Sequence, residues 1–153
     1  METRIDYKET PQGMMDGLMR TGGFIRKSAI PHTLQELLHF RVSQLNGCAF
    51  CLDMHAKDAL HQGEDPQRLF GLAAWKEAPY YTPAERAALA LADGLTQKCE
   101  VTDEVYQELT RHFSKEEIAV LALLISNVGT WNRLNITFRT PAGWYQPGQP
   151  MGL

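Results

Sequence analysis

Cys48 and Cys51 are separated by Ala49 and Phe50, and His55 follows four residues after the second cysteine. On one helix these offsets place all three side chains on a single face, within reach of one another. The thiolate is the reactive form of cysteine. Unpaired backbone N–H groups at a helix start favour it, and a neighbouring imidazole can accept the thiol proton. A cysteine oxidised to sulfenic acid would have a resolving thiol one turn away, and the disulfide so formed can be reduced by an outside thiol. These residues suffice for a full redox cycle without a bound cofactor.

A structural or metal-binding role for the same residues is the competing reading. Cys48, Cys51, His55 and His61 can be written as four zinc ligands. His61, however, lies six residues beyond His55 and at about 100° per residue points to roughly the opposite face of the helix. There is no second C-x-x-C to complete a zinc set. The sequence therefore assigns no metal ligands and no cofactor, and inert packing of the pair stays open as the plain alternative.

The elements that would position the cysteines read as helices throughout, because apolar residues recur at helical spacing and no alternating run makes a strand. Pro31-His32-Thr33 opens a helix with Thr33 as N-cap and Glu36 as its capping-box partner. Leu34, Leu37, Leu38, Val42 and Leu45 form its buried stripe, and Asn46-Gly47 ends it. A second helix runs from Cys48 to about His61, with Gly63 to stop it. The break at Asn46-Gly47 lets the two fold back on one another, so that the Glu36 carboxylate can approach His55 and orient the imidazole. Glu36 as a mere capping residue explains its position equally well.

Further helices are expected from about Pro66 to Trp75, Thr82-Pro83 to Gln97, Thr102 or Asp103 to His112, and from the Ser114 to Glu117 capping box along one long element over 115–138. A short helix is expected over roughly Tyr7 to Met19. The tail 140–153, with Pro141, Gly143, Pro147, Gly148 and Pro150, cannot continue a helix and should lie over the surface or a neighbouring subunit. The fold class expected is all-α, one helical domain of about six to seven helices spanning 1–153, with the redox helix pair at about 33–63.

Composition narrows the classes. With 153 residues, 44% hydrophobic and 22% charged, the chain has an ordinary globular make-up, long enough to bury a core without staples. A net charge of -3 argues against a nucleic-acid groove. The longest apolar stretch, Ile118 to Ile125, is far short of the roughly 20 residues that span a bilayer, and charged residues among the first twenty give no export signal. The expected setting is the reducing cytoplasm, with no membrane partner. Cys99 is left without a role. His39 shares the Glu36 face but reads as structural, and Asp53 with Lys57 reads as an exposed i, i+4 pair.

Glu36 together with Arg41-Val-Ser-Gln-Leu-Asn-Gly-Cys48-Ala-Phe-Cys51-Leu-Asp-Met-His55 resembles the core of the AhpD-like alkylhydroperoxidases of the carboxymuconolactone decarboxylase superfamily. The segment from Asn127 to Asn135 is similar to the C-terminal helix of its small members. The resemblance implies an all-helical fold, assembly as a trimer or hexamer, and reduction of hydroperoxides with an external dithiol as electron donor. It also implies Cys51 as the attacking thiolate, Cys48 as the resolving cysteine, and His55 with Glu36 as proton relay. Spacing alone does not choose between the two cysteines as nucleophile. Phe50 departs from the pattern where relatives carry His or Tyr, removing a polar contact. A redox-responsive oligomeric binding protein and a disulfide exchanger are the alternative functions.

Overall fold

Helices start and stop in this chain where capping residues and prolines fall. The structure, a computed structural model, describes residues 2–148, and every regular element among them is helical. After a 3-10 turn at Tyr7–Glu9 come α1 (Asp16–Arg26), α2 (His32–Asn46), α3 (Ala49–His61) and α4 (Pro66–Gly71), the last running into a 3-10 turn at Leu72–Ala74. They are followed by α5 (Pro83–Gln97), α6 (Asp103–Thr110) and α7 (Lys115–Phe138). The all-α expectation holds. Thr82 with Glu85 and Ser114 with Glu117 form reciprocal capping boxes, and Asp65 and Thr102 cap α4 and α6. Each satisfies backbone donors that would otherwise lack partners.

The hub is α2, which packs on α3, α5 and α7. Leu37, Leu38 and Val42 on α2 meet Ala88, Leu89 and Ala92 on α5 and Leu121 and Leu124 on α7 in one apolar core. Small alanines on α5 let the helices approach closely. Arg41, buried on α2, is held in a two-pronged ion pair by Asp93 of α5 at 2.7 and 3.0 Å, and Trp75 Nε1 donates to the same carboxylate at 3.0 Å. Its third nitrogen donates to Gln44. The buried charge is thus paired and hydrogen-bonded, as burial requires.

Two local expectations change. Pro11 and Gly13, the latter at φ +80°, hold the chain in turns, so the first α-helix begins at Asp16 and not near Tyr7. It then continues through Gly22 and Gly23 to Arg26. Its partner is α7, and tertiary packing of this kind offsets the weak helix propensity of glycine. The second change concerns α2, which starts at His32 with Pro31 as N-cap and no side-chain cap bond. Thr33 is therefore already helical, and the Glu36 carboxylate bonds His55 and forms no capping box.

Candidate active site

The turn between α2 and α3 sets the site. Gly47 adopts a left-handed conformation, φ +69°, and returns its N–H to the carbonyls of Ser43 and Gln44. This C-terminal cap suits glycine because other residues meet a Cβ clash there. Asn132 of α7 pins the turn: its amide donates to Ser43 Oγ at 3.0 Å and accepts from Asn46 at 2.9 Å. Cys48 then sits at the N-cap of α3, with the backbone N–H of Cys51 directed at its Sγ. The two sulfurs are joined as a disulfide and both cysteines are about 1% exposed.

The reversal at Gly47 brings Glu36 against α3. Glu36 Oε2 lies 2.9 Å from His55 Nδ1, and both residues are buried. His39, one turn along α2, places Nδ1 at 3.6 Å from Glu36 Oε1, beyond a hydrogen bond, and its ring lies 4.6 Å from that of His55, tilted by 33°. That His39 nitrogen is buried without any hydrogen-bond partner. Burial pushes the Glu36 carboxyl up, but the hydrogen bond with His55 and the two imidazoles close against it outweigh this and hold the group well below the usual carboxylate range. His39 is shifted down, chiefly by burial and against the opposing pull of Glu36. An ionised carboxylate beside an imidazole is the arrangement that raises basicity and stabilises an imidazolium.

These groups open on one cavity of about 430 Å³. Glu36, His39, His55 and Cys51 line it together with Arg26 and Asp58, and Phe50, Trp131 and Trp144 contribute apolar surface. Cys51 lines this cavity; Cys48 is not among its lining residues. Asn127 reaches it from α7 with a buried Oδ1 that has no partner. A polar niche at the end of an apolar pocket is a usual form for a small-molecule site.

The tail closes one side. Lys57 Nζ donates to the carbonyls of Gly143 and Tyr145 at 3.2 and 2.9 Å, while Asp53 accepts from the Gly143 N–H at 3.0 Å. Trp144 stacks on Phe50, and Tyr145 packs with Cys48, Phe50 and Cys51 while its hydroxyl donates to Asp58 at 2.8 Å. Burial and then Asp58 push the Tyr145 hydroxyl up, so it stays protonated and able to donate. Asp53 and Lys57, expected as an exposed pair of small consequence, are the anchor of this strap. Phe50, noted only as a missing polar contact, is the platform for Trp144. Pro150 lies outside the described residues.

The structure thus brings together Glu36, Cys48, Cys51 and His55, and adds His39, Asn127 and the tail aromatics. His39 carried a signal, its i+3 offset from Glu36, whereas nothing local in the sequence marks the tail contacts. His61 is exposed and outside the cluster, and Cys99 is an exposed free thiol in a left-handed backbone conformation, φ +55°.

Comparison with known proteins shows the family. Residues 12–94 match the model of the carboxymuconolactone decarboxylase family. The uncharacterized protein YdfG of Bacillus subtilis is 41% identical over 139 residues, covering 89% of this chain and 94% of that one. An Agrobacterium tumefaciens protein of unknown function, designated a candidate antioxidant defence protein AhpD, superposes with a TM-score of 0.89. It is 34% identical, and the match covers 94% of this chain and all of that one. The debrominase Bmp8, 22% identical with a TM-score of 0.72 over 93% of this chain and 91% of its own, shares the fold. The chain belongs to the carboxymuconolactone decarboxylase family and is AhpD-like within it.

Proposed function

We propose that the protein is a thiol peroxidase that reduces hydroperoxides through Cys51 and Cys48. The observation that carries this reading is that Cys51, and not Cys48, faces the cavity shared with the Glu36–His55 pair. In the reduced protein His55, held by Glu36, takes the Cys51 thiol proton. The thiolate attacks an oxygen of the substrate, the O–O bond breaks, and the leaving alkoxide receives the proton from the imidazolium, giving Cys51 sulfenic acid and an alcohol. Cys48 then attacks the Cys51 sulfur, water leaves, and the disulfide forms. An external dithiol restores both thiols and is itself oxidised to a disulfide.

The N-cap position of Cys48 also suits a resolving or leaving thiolate, because the backbone donors of the first turn stabilise negative charge there. Assembly as a homo-oligomer, trimer or hexamer, belongs to the same proposal, with Phe24 and Phe70, 60% and 81% exposed, as contact residues to test. No helix among the described residues is long and apolar enough to cross a membrane, and a pair that must be kept reducible fits the cytoplasm. The test is thiol loss in the reduced protein on addition of hydrogen peroxide or an organic hydroperoxide. Wild type loses two thiols per turnover of one peroxide, and Cys51→Ser abolishes peroxide consumption with dithiol present. A pair left unreactive by peroxide at about millimolar concentration, where substrate binding free energies need be only about -4 kcal/mol, refutes the reading.

A further inference from the structure

We propose that Glu36, His39 and His55 form a binding site for a divalent first-row metal ion, with zinc as its representative. One carboxylate oxygen and one nitrogen from each imidazole lie within 4.8 Å of one another. Metal bonds of about 2.0–2.1 Å at a tetrahedral angle place neighbouring ligand atoms roughly 3.3 Å apart. Glu36 Oε2 lies 2.9 Å from His55 Nδ1 and Glu36 Oε1 lies 3.6 Å from His39 Nδ1, so the two imidazoles face the two oxygens of one carboxylate. Rotation of the carboxylate and the two imidazoles within the 4.8 Å cluster brings one atom of each onto a common ion.

His39 Nδ1, at 3.6 Å from Glu36 Oε1, is in addition a buried nitrogen with no hydrogen-bond partner. Buried polar atoms are nearly always satisfied, and an imidazole nitrogen beside a carboxylate and a second imidazole is satisfied by an ion between them. Two nitrogens and an oxygen suit zinc and its neighbours better than magnesium or calcium, which take oxygen ligands. Three protein ligands leave a fourth position open, and all three residues line the cavity. The backbone supports the set, since Glu36 and His39 share one turn of α2, and the Gly47 reversal fixes α3 against it.

The binding claim does not rest on the peroxidase reading, but it bears on it. With an ion bound, Glu36 and His55 point at the metal and not at each other, so metal and proton relay are alternative states of the same residues. The test uses the oxidised full-length chain carrying Cys99→Ser, so that neither the bonded Cys48–Cys51 pair nor a free thiol competes for metal. Zinc is titrated against a chromophoric chelator, and cobalt is added separately to read ligand geometry from its visible absorption.

The expected result is one zinc per chain, with affinity weakened at least about tenfold in both His39→Ala and Glu36→Gln, the least that loss of a ligand should cost. Cobalt should give the intense visible bands of a four-coordinate site. His112→Ala, which removes the exposed His112–Glu108 pair, should leave binding unchanged. Substoichiometric zinc, or equal affinity in wild type and His39→Ala, overturns the proposal. Peroxide reactivity plays no part in this readout, so failure of the peroxidase reading and failure of the metal site are seen separately.

Discussion

The core between α2, α5 and α7 and the cavity end of the same bundle obey different rules. In the core, apolar side chains interlock, and the buried charge, Arg41, has Asp93, Gln44 and nearby Trp75 arranged around it. At the cavity end a carboxylate and two imidazoles crowd together, and His39 Nδ1 and Asn127 Oδ1 have no partners. The helix that walls this end, α1, carries three glycines. A protein builds its stability where polar groups are satisfied and keeps unsatisfied ones where a ligand or a proton must arrive. The two regions meet in α2, which supplies Leu37 and Leu38 to the first and Glu36 and His39 to the second.

Substitutions in the two regions should therefore separate stability from chemistry. Leu124→Ala in the core, where the side chain is fully buried, should destabilise by about 2–5 kcal/mol in denaturant unfolding. It should leave the peroxide rate of the folded fraction near wild type. Glu36→Gln should act on the chemistry, lowering the thiol oxidation rate by about 10²-fold, the lower range for loss of acid–base assistance, while leaving the apolar core intact.

The pH dependence of stability sharpens the point. The Glu36 carboxyl is depressed in the folded state, so its stabilising contribution is full above the usual carboxylate range. It is lost as pH falls through that range toward the folded value. Acid unfolding should consequently be steeper in wild type than in Glu36→Gln, and equal slopes would show that Glu36 is not held ionised by His55 and His39.

Lys57→Ala gives the smallest effect, about 1 kcal/mol or less for a partly exposed pair. Yet it releases two carbonyls of the tail that covers the disulfide. Reduction of Cys48–Cys51 by a small dithiol should become several-fold faster, because local opening governs access to buried sulfurs. An unchanged reduction rate would mean that the tail does not limit access.

Much of this was legible in the sequence because it depends on local chemistry. Gly47 ends α2, Cys48 begins α3, and the boxes at Thr82 and Ser114 mark α5 and α7, each through backbone donors or a left-handed turn that only a few residues satisfy. The role of Glu36 was not decidable, since capping and orienting His55 place it at the same offset from Thr33. Pro31 decides between them by taking the cap position. The first helix was expected over about Tyr7 to Met19, too early across Pro11 and Gly13, and its continuation to Arg26 depends on α7, more than a hundred residues away in the chain. The same distance hides the hold of Lys57 on Gly143 and Tyr145.

The central claim is that Cys51 is the peroxide-attacking thiolate and Cys48 resolves it. It is tested most directly by treating reduced Cys48→Ser and Cys51→Ser proteins with an organic hydroperoxide in the presence of dimedone and locating the adduct by peptide mass spectrometry. The account predicts a sulfenic-acid adduct on Cys51 in Cys48→Ser and none on Cys48 in Cys51→Ser. An adduct on Cys48 with Cys51 unmodified would contradict it.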